Sequence, residues 1–194
     1  MTMQWKTWTR RALLSGLAAT VLPMVATAQA APQVKFQTSL GDFVVEVYPD
    51  KAPKTVENFL QYVKAKQYDG TIFHRVIPNF MVQGGGYDVK YDEKIARPPI
   101  PLEAQNGLKH ETGTIAMART QDPNSARAQF FVNVKENPFL NAKGASDGYA
   151  VFGRVVSGME TILKIKDVPT GSGGPFPSDV PKTPVLINSA TLVK

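Results

Sequence analysis

Side chains able to carry out covalent chemistry are few and scattered in this chain. It has two histidines, His74 and His110, and no cysteine in 194 residues. A zinc site needs three or four ligands at characteristic spacing, and the G-x-S-x-G turn of a serine nucleophile is absent. Without cysteine, a disulfide framework, a thiol nucleophile and a thiolate metal site are excluded. His74 lies in an apolar run, which favours a hydrogen-bonded structural histidine over a catalytic one. His110, beside Glu111 in a polar loop, is predicted to be solvated.

One arginine, Arg75, lies inside the most apolar segment of the chain, FHRVIPNFMVQGGG at 73–86. A fixed cation beside aromatic rings, a thioether and an amide is typical of a ligand pocket, which combines apolar walls with few directed polar groups. The alternative is a structural arginine that pairs with a carboxylate and packs its stem on aromatic rings. The spacing alone favours neither interpretation. The three glycines predict a bend at the strand end, without a phosphate-binding role.

Strand periodicity predicts which of these side chains share a face, because alternate residues of a strand point to the same side. Phe73, Arg75 and Ile77 are expected on one side of the first strand. His74 and Val76 are expected on the other side.

A second strand is expected after the break at Pro78-Asn79. The same alternation predicts that Met81 and Gln83 share one face of this strand. Phe80 and Val82 are expected on the opposite face.

A third apolar run, QFFVNV, repeats the combination of aromatic rings and an amide. Gln129 and Phe131 are expected on one strand face and Phe130 on the other, while Phe139 and Leu140 follow on a loop. Aromatic residues in strands usually fill a core. Gln129 argues for a pocket instead, because a buried amide needs hydrogen-bond partners.

The rest of the sequence predicts a scaffold made mostly of strands. Two alternating runs joined at a glycine turn over 34–47 predict a hairpin. Apolar residues at helical spacing, after a proline suited to a first turn, predict an amphipathic helix over 53–66. A second helix is predicted over 157–168, with Ser157 as its N-cap.

Runs rich in β-branched and aromatic residues predict the other strands, which are TIFHRVIP, FMVQGG, TGTIAMAR, QFFVNV, YAVFGRVV and PVLINSATLV. The segment PTGSGGPFPSDVP at 169–181 is predicted to be a flexible loop, since its GSGG lacks the features of a phosphate loop. About eight strands, two helices and no βαβ alternation indicate an antiparallel barrel or sandwich.

The first 30 residues have the features of a cleavable signal peptide: a basic start, the apolar run ALLSGLAATVLPMV and an A-x-A pattern that places the cut after Ala30. The alternative is a membrane anchor, but a spanning helix needs about 20 apolar residues. Two adjacent arginines leave general secretory and twin-arginine export open. We therefore expect an exported single domain over 31–194.

Charge argues against nucleic acid as a partner. Residues 1–30 hold three basic residues and no acidic ones, so residues 31–194 carry 19 basic and 16 acidic residues, a net charge of +3. A nucleic-acid-binding domain is expected to be more basic, with its charge concentrated on one face. A domain of this length can bury a core without disulfides or metals.

Four motifs, in the order FHRVIPNFMVQGGG, GTIAMAR, AQFFVNV and YAVFGRV, resemble the cyclophilin family of peptidyl-prolyl cis-trans isomerases. The resemblance runs from about Val34 to the C-terminus. It is strongest for the exported cyclophilins of Gram-negative bacteria, which agrees with the predicted signal peptide and implies a location in the periplasm. The fold that it implies is all-β, a closed eight-stranded antiparallel β-barrel capped by two α-helices.

The resemblance also implies roles for individual residues. Arg75 matches the catalytic arginine of the family. Gln83 and Gln129 match amides that hold the substrate backbone or the arginine. The residues that match the apolar walls around the proline ring are Phe80, Met81, Phe131 and Leu140.

Four further positions match the substrate-binding strand and the pocket rim. Ala118 and Arg119 match the strand that lies against the peptide, where well-known members often have an asparagine in place of Arg119. On the rim, Phe139 stands where those members have a tryptophan, and Tyr149 where they have a histidine. Because that tryptophan contacts cyclosporin, the resemblance does not extend to tight binding of the drug.

The activity implied by the resemblance is faster rotation about X-Pro bonds in folding polypeptides. Its partners would be unfolded or proline-containing polypeptides, with no nucleic acid, no cofactor and no metal. The mature chain is expected to be a monomer without stable membrane association. Two alternatives remain open: a binding or chaperone module without turnover, and a filled barrel with a structural arginine. Hydrolysis is disfavoured because its catalytic constellations are missing.

Overall fold

A computed structural model of the protein describes residues 1–3, 30–144 and 147–193. In chain order, its strands and helices are β1 (Gln33–Thr38), β2 (Gly41–Val47), α1 (Pro53–Lys64), β3 (Thr71–Ile77), β4 (Met81–Asp88), β5 (Thr114–Met117), β6 (Phe130–Asn133), a 3₁₀ helix (Pro138–Leu140), β7 (Val151–Ser157), α2 (Met159–Lys166), β8 (Thr170–Gly173), β9 (Phe176–Pro181) and β10 (Leu186–Leu192).

Eight of the strands close into a barrel in the order β1-β10-β3-β4-β6-β5-β7-β2. Every neighbouring pair is antiparallel, and closure leaves no exposed sheet edge in the barrel. The predicted fold class is therefore confirmed. Among the described residues, no helix has the length and apolar character to span a membrane. The apolar run of the predicted signal peptide lies outside the described residues.

Aromatic rings fill the barrel interior. Phe36 stacks on Phe43 with 4.8 Å between ring centroids, and Phe130 meets Tyr68 edge-on at 5.4 Å. The Tyr68 hydroxyl donates a 3.0 Å hydrogen bond to the Ala128 carbonyl, so its polar atom is satisfied inside the core. Burial of each ring contributes about 1.5–3 kcal/mol to folding.

Helix α1 confirms the predicted amphipathic helix, with a shorter C-terminus. It begins at Pro53, and its free N–H groups are satisfied by Glu103, which accepts bonds from the Thr55 amide (2.8 Å) and hydroxyl (2.7 Å). It ends at Lys64 instead of the predicted Lys66, because Lys66 adopts a left-handed backbone with φ of 55°.

The predicted N-cap of the second helix is wrong. Ser157 is the last residue of β7, and the cap position is taken by Gly158 with φ of 79°. A side chain on residue 158 would collide with the Asp42 carbonyl oxygen of the neighbouring strand. The turn from strand to helix therefore needs a glycine, which has no Cβ and adopts positive φ without strain.

The prediction of a flexible loop over 169–181 is also wrong. This segment forms the antiparallel hairpin β8–β9, which packs against β3 outside the barrel. Its Phe176 ring lies 5.1 Å from Tyr87 and 5.4 Å from His74. The many glycines and prolines of this segment predict a loop. The hairpin is ordered because an aromatic ring packs against a distant strand, which the local sequence does not indicate.

Candidate active site

A cavity of about 380 Å³ opens on the outside of the barrel, next to strands β3 to β6. It includes ten of the eleven predicted site residues, and the eleventh, Gln129, lies beside it. The lining residues are Arg75, Phe80, Met81, Gln83, Ala118, Arg119, Phe131, Phe139, Leu140 and Tyr149. The structure thus brings together residues that are up to 74 positions apart in the chain.

The floor of the cavity is a small apolar cluster distinct from the barrel core. Met81, Phe131 and Leu140 are buried in this cluster, while Phe80 and Tyr149 are half-buried against it. The prediction that Phe131 faces the pocket and Phe130 the opposite side is confirmed, because Phe130 lies in the barrel core. These side chains give the cavity an apolar floor.

A bulge in β3 turns Arg75 toward the cavity. The pairing register of β3 with β4 shifts between Phe73 and Arg75. Phe73 and Val76 both lie in the barrel core, so the prediction that Phe73 shares a face with Arg75 is wrong. A bulge inserts an extra residue into one strand and so redirects the side chains that follow it. Ile77 does pack on the cavity side, as expected.

Of the two pairs of residues predicted to share a face of the second strand, now β4, only one is correct. Met81 and Gln83 both line the cavity, as expected. Phe80 does not lie with Val82, because it belongs to the turn that is closed by the 3.0 Å bond from its amide to the Ile77 carbonyl. Phe80 therefore faces the cavity, whereas Val82 lies in the core.

Arg75 is an exposed cation at the mouth of this cavity. Its side chain is 46% exposed, and its Nε lies 4.0 Å from Oδ2 of Asp179. Within the described part of the chain, its guanidinium makes no hydrogen bond. The structural-arginine alternative required a buried arginine and no open groove, so the geometry favours the pocket interpretation.

Two amides form the polar side of the site. Gln83 Nε2 donates a 2.9 Å hydrogen bond to Gln129 Oε1. The Gln129 side chain also lowers the pKa of Tyr87, which partly offsets the rise caused by burial and by the negative charge of Glu93. The hydrogen bond from Gln83 gives the Gln129 amide the kind of partner that was predicted.

The glycine run provides the space for this amide network. Strand β4 continues through all three glycines to Asp88, so they do not mark the strand end as predicted. A bulge does lie among them, because the pairing register with β3 shifts there and Gly85 has a φ of 86°. A Cβ on Gly86 would lie 2.5 Å from Cγ of Gln129. Glycine is needed at this position because the Gln129 side chain lies directly against the strand backbone.

His110 is buried beneath the cavity, so its prediction as a solvated residue is wrong. Only 2% of it is exposed, and its ring stacks on Phe131 at 5.8 Å. Its Nδ1 lies 3.1 Å from Asn133 Nδ2 and its Nε2 lies 3.1 Å from the Tyr149 carbonyl oxygen. Burial lowers the pKa of His110, so the neutral ring accepts from Asn133 and donates to Tyr149. No sequence signal indicated Asn133.

His74 does not line the apolar cavity, as expected of a structural histidine, but the predicted hydrogen bonding is not seen at its buried Nδ1, which has no partner among the described residues. Its ring lies 4.7 Å from Tyr87 and close to the β8–β9 hairpin, away from the apolar cavity. Burial, followed by the adjacent Arg75 charge, lowers the pKa of His74 to about 4. The imidazole is therefore neutral at neutral pH and adds no charge beside the guanidinium.

The rim of the cavity is made of side chains from two loops. Arg119 lies over the Tyr149 ring at 4.7 Å, and its Nε donates a 2.9 Å bond to the Gly148 carbonyl. Phe139 is 64% exposed and lies 5.4 Å from the Phe80 ring. The rim thus offers apolar surface to a ligand that extends beyond the cavity.

The barrel and this site together define a class of protein: a β-barrel that holds an apolar group beside an exposed guanidinium. A family model described as cyclophilin type peptidyl-prolyl cis-trans isomerase/CLD matches residues 33–192. The chain therefore belongs to the cyclophilin family, and its enzymatic activity is peptidyl-prolyl cis-trans isomerisation.

Individual relatives agree with this assignment. The chain is 52% identical over 162 residues to peptidyl-prolyl cis-trans isomerase B of Escherichia coli, covering 82% of this chain and 98% of the relative. It is 51% identical over 167 residues to the enzyme of Acinetobacter baylyi, covering 86% and 88%. A cyclophilin type isomerase of Cryptosporidium parvum superposes with a TM-score of 0.70 at 25% identity, covering 84% and 98%. The same isomerase, crystallised in the presence of the dipeptide Ala-Pro, gives 0.68 at 26% identity, covering 84% and 99%.

Proposed function

We propose that Arg75 is the catalytic residue and that the apolar cavity holds the proline ring of an X-Pro segment. The observation that carries this proposal is the exposed guanidinium at the mouth of a cavity of about 380 Å³ with an apolar floor. The substrates are unfolded or proline-containing polypeptides. The Cryptosporidium relative crystallised with Ala-Pro supports this substrate class.

The proposed mechanism follows from the electronic structure of the amide. Resonance gives the X-Pro bond a rotation barrier of about 18–20 kcal/mol. In the twisted transition state this resonance is lost, and the nitrogen lone pair becomes a hydrogen-bond acceptor. The guanidinium of Arg75 donates a hydrogen bond to this nitrogen. In the planar ground state the same nitrogen is only a weak hydrogen-bond acceptor. Arg75 therefore stabilises the transition state more than either ground state, as catalysis requires.

The walls of the cavity support this step. Met81, Phe131 and Leu140 hold the ring in place while the acyl side of the bond rotates. The apolar surroundings also lower the local dielectric, which strengthens the interaction between the guanidinium and the lone pair. Gln83 and Gln129 hold the substrate backbone. No proton is transferred, so the neutral state of both histidines is compatible with the reaction.

The proposal is tested by assaying isomerisation of a prolyl peptide with Arg75→Ala. We expect kcat/KM to fall by about a hundred- to a thousandfold, the loss typical of removing one transition-state donor. Arg75→Lys should also be costly, because a point charge does not reproduce the planar donor arrangement. Both variants should unfold at the wild-type temperature, because Arg75 is exposed. The matched control is Arg154→Ala, another exposed arginine, on β7. Wild-type activity in Arg75→Ala would contradict the proposal.

We also propose that residues 1–30 are a signal peptide and that the domain over 31–194 acts in the periplasm. The barrel supports this boundary, because among the described residues its first backbone hydrogen bond is from the Val47 amide to the Pro32 carbonyl (2.9 Å). Cleavage after Ala30 leaves this hydrogen bond in place.

A further inference from the structure

The β8–β9 hairpin brings a carboxylate to the catalytic arginine. Asp179, on β9, lies with Oδ2 at 4.0 Å from Nε of Arg75. Its side chain is 38% exposed, so the two charges face each other at the protein surface. The separation exceeds that of a direct hydrogen bond. The carboxylate therefore acts through its charge or through a small shift of either side chain.

The backbone of Asp179 is held in an unfavourable conformation. Its φ is 65°, in the left-handed region that glycine and asparagine adopt more easily. It lies where the register of the hairpin shifts, between the pairs Gly171–Val180 and Gly173–Phe176. Such bulges redirect side chains, and local strain is often kept where it serves a site. At Asp179 the result is a carboxylate that is directed toward Arg75.

The hairpin that carries Asp179 is fixed to the barrel. Phe176 packs against His74 and Tyr87, and Val180 is buried. The Lys182 amide donates a 2.8 Å bond to the Pro169 carbonyl across the base of the hairpin. The carboxylate therefore belongs to an ordered element of the structure.

A second cavity, of about 370 Å³, lies between the hairpin and the barrel. Arg75 and Gln83 line both this cavity and the proline cavity, whereas Asp179 lines only the second one. The two cavities therefore meet at the arginine. Because Asp179 approaches Nε, it leaves the two terminal nitrogens of the guanidinium available to a substrate.

We infer that Asp179 is a positioning residue for Arg75, an inference that rests on the proposed role of Arg75. Its charge attracts the Nε side of the guanidinium and limits the rotamers of an exposed, flexible side chain. A larger fraction of enzyme molecules then has the terminal nitrogens directed toward the proline cavity. Asp179 exchanges no proton and does not touch the substrate.

The first test is Asp179→Asn, assayed for isomerisation at low ionic strength. Asparagine keeps the shape and tolerates the left-handed backbone, but it removes the charge. We expect kcat to fall about two- to fivefold, the size expected for an exposed ion pair, with KM unchanged. Because salt screens exposed charges, the difference between the variant and the wild type should narrow at high ionic strength. A purely structural role predicts no such narrowing.

Further variants separate positioning from folding. Asp179→Gly relieves the backbone strain, so it should be at least as stable as the wild type and yet lose the same activity. Asp179→Glu should recover part of kcat. The matched control is Asp42→Asn, which removes an exposed, paired carboxylate (2.8 Å from Lys35) far from Arg75 in the chain and should leave activity unchanged.

The outcomes distinguish this inference from the proposed function. If Arg75→Ala is inactive while Asp179→Asn has the wild-type kcat at low salt, the positioning role is refuted and the proposed function stands. If Arg75→Ala keeps wild-type activity, the proposed function itself fails. A loss in Asp179→Asn that is independent of salt, with equal loss of stability, also refutes positioning.

Discussion

The ionisation of His74, which lies in the same segment as Arg75, affects the stability of the fold. His74 lies next to Arg75 in sequence, and its ring packs between Tyr87 and Phe176. Its buried Nδ1 has no hydrogen-bond partner among the described residues. Protonation would therefore place an unpaired charge in an apolar contact, beside an arginine that is already charged.

Stability should decrease as the pH falls from about 6.5 to about 4. The pKa of His74 is about 4 in the folded protein, against 6.5 as its ordinary value. Between these values the unfolded chain binds the proton and the folded chain does not, so acid favours unfolding. The full effect is on the order of 3 kcal/mol. It is measured by urea unfolding of the wild type and His74→Gln at several pH values.

The variant His74→Gln should show a shallower dependence on pH in this range. A residual slope is expected, because burial also lowers the pKa of His110. Equal slopes for the wild type and the variant would show that His74 does not titrate as its burial implies.

Single residues of the site were predictable where the local motif determines them. Arg75, Met81 and Gln83 lie in one apolar segment, and their types made a pocket one of two interpretations that the sequence left open. His110 was not predictable, because the burial of a loop residue depends on the course of the loop over distant strands. The predicted orientation of Phe73 was wrong because the alternating pattern of a strand does not indicate where a bulge occurs.

At the scale of elements, the site depends on how closely strand β4 and the segment leading into β6 approach each other. The side chain of Gln129 crosses the backbone of β4 at Gly86 and reaches Gln83. The glycine run therefore leaves room for the amide network, because its residues have no side chains. This role could not be inferred from the sequence, since the partner of Gly86 is 43 positions away.

Replacing Gly86 with alanine should impair catalysis more than folding. The new Cβ would lie 2.5 Å from Cγ of Gln129, so the amide must move away from Gln83. Loss of one hydrogen bond predicts about a two- to tenfold decrease in kcat/KM. The measurement is the prolyl peptide assay together with a thermal melt.

Gly144→Ala is the control for this substitution. Among the described residues, a Cβ at Gly144 meets only Oδ2 of Asp147, at 4.0 Å, so activity should not change. Wild-type activity in Gly86→Ala would indicate that the position of Gln129 is unimportant for catalysis.

Secondary structure was predictable where periodicity is strong, as in the β1–β2 hairpin and helix α1. The β8–β9 hairpin was missed, because its order comes from the packing of Phe176 on the barrel. This element is also the one that carries Asp179. Long-range packing is thus the reason for the main error in the fold prediction. It also determines the position of the proposed positioning residue.

For the whole molecule, alternation in the strands was enough to predict an antiparallel barrel or sandwich, and the resemblance to the cyclophilin family implied that the barrel is closed. Alternation separated Phe130, in the core, from Phe131, but it could not show that Met81 and Leu140 join Phe131 in a second cluster under the cavity. These residues come from different segments and meet only through the three-dimensional course of the chain. The enzyme thus has a rigid interior and a pocket on its outer surface.

The mature molecule is expected to begin at Ala31. When the full chain is produced in a Gram-negative host, the protein recovered from the periplasmic fraction should have this N-terminus by sequencing. It should also be fully active, because it keeps the hydrogen bond between the Val47 amide and the Pro32 carbonyl and all ten strands of the structure. Ala30→Phe should block processing, because signal peptidase requires a small residue there. A full-length chain retained in the membrane would instead support the anchor alternative.

The most direct test of the central claim measures affinity and catalysis on the same peptide. Exchange NMR of an Ala-Pro peptide gives its cis-trans rate, and titration gives its dissociation constant, for the wild type and Arg75→Ala. If Arg75 acts on the twisted transition state, the catalysed rate should fall by about a hundredfold or more while the peptide still binds. Catalysis at the wild-type rate, or an equal loss of affinity and rate, would contradict this account.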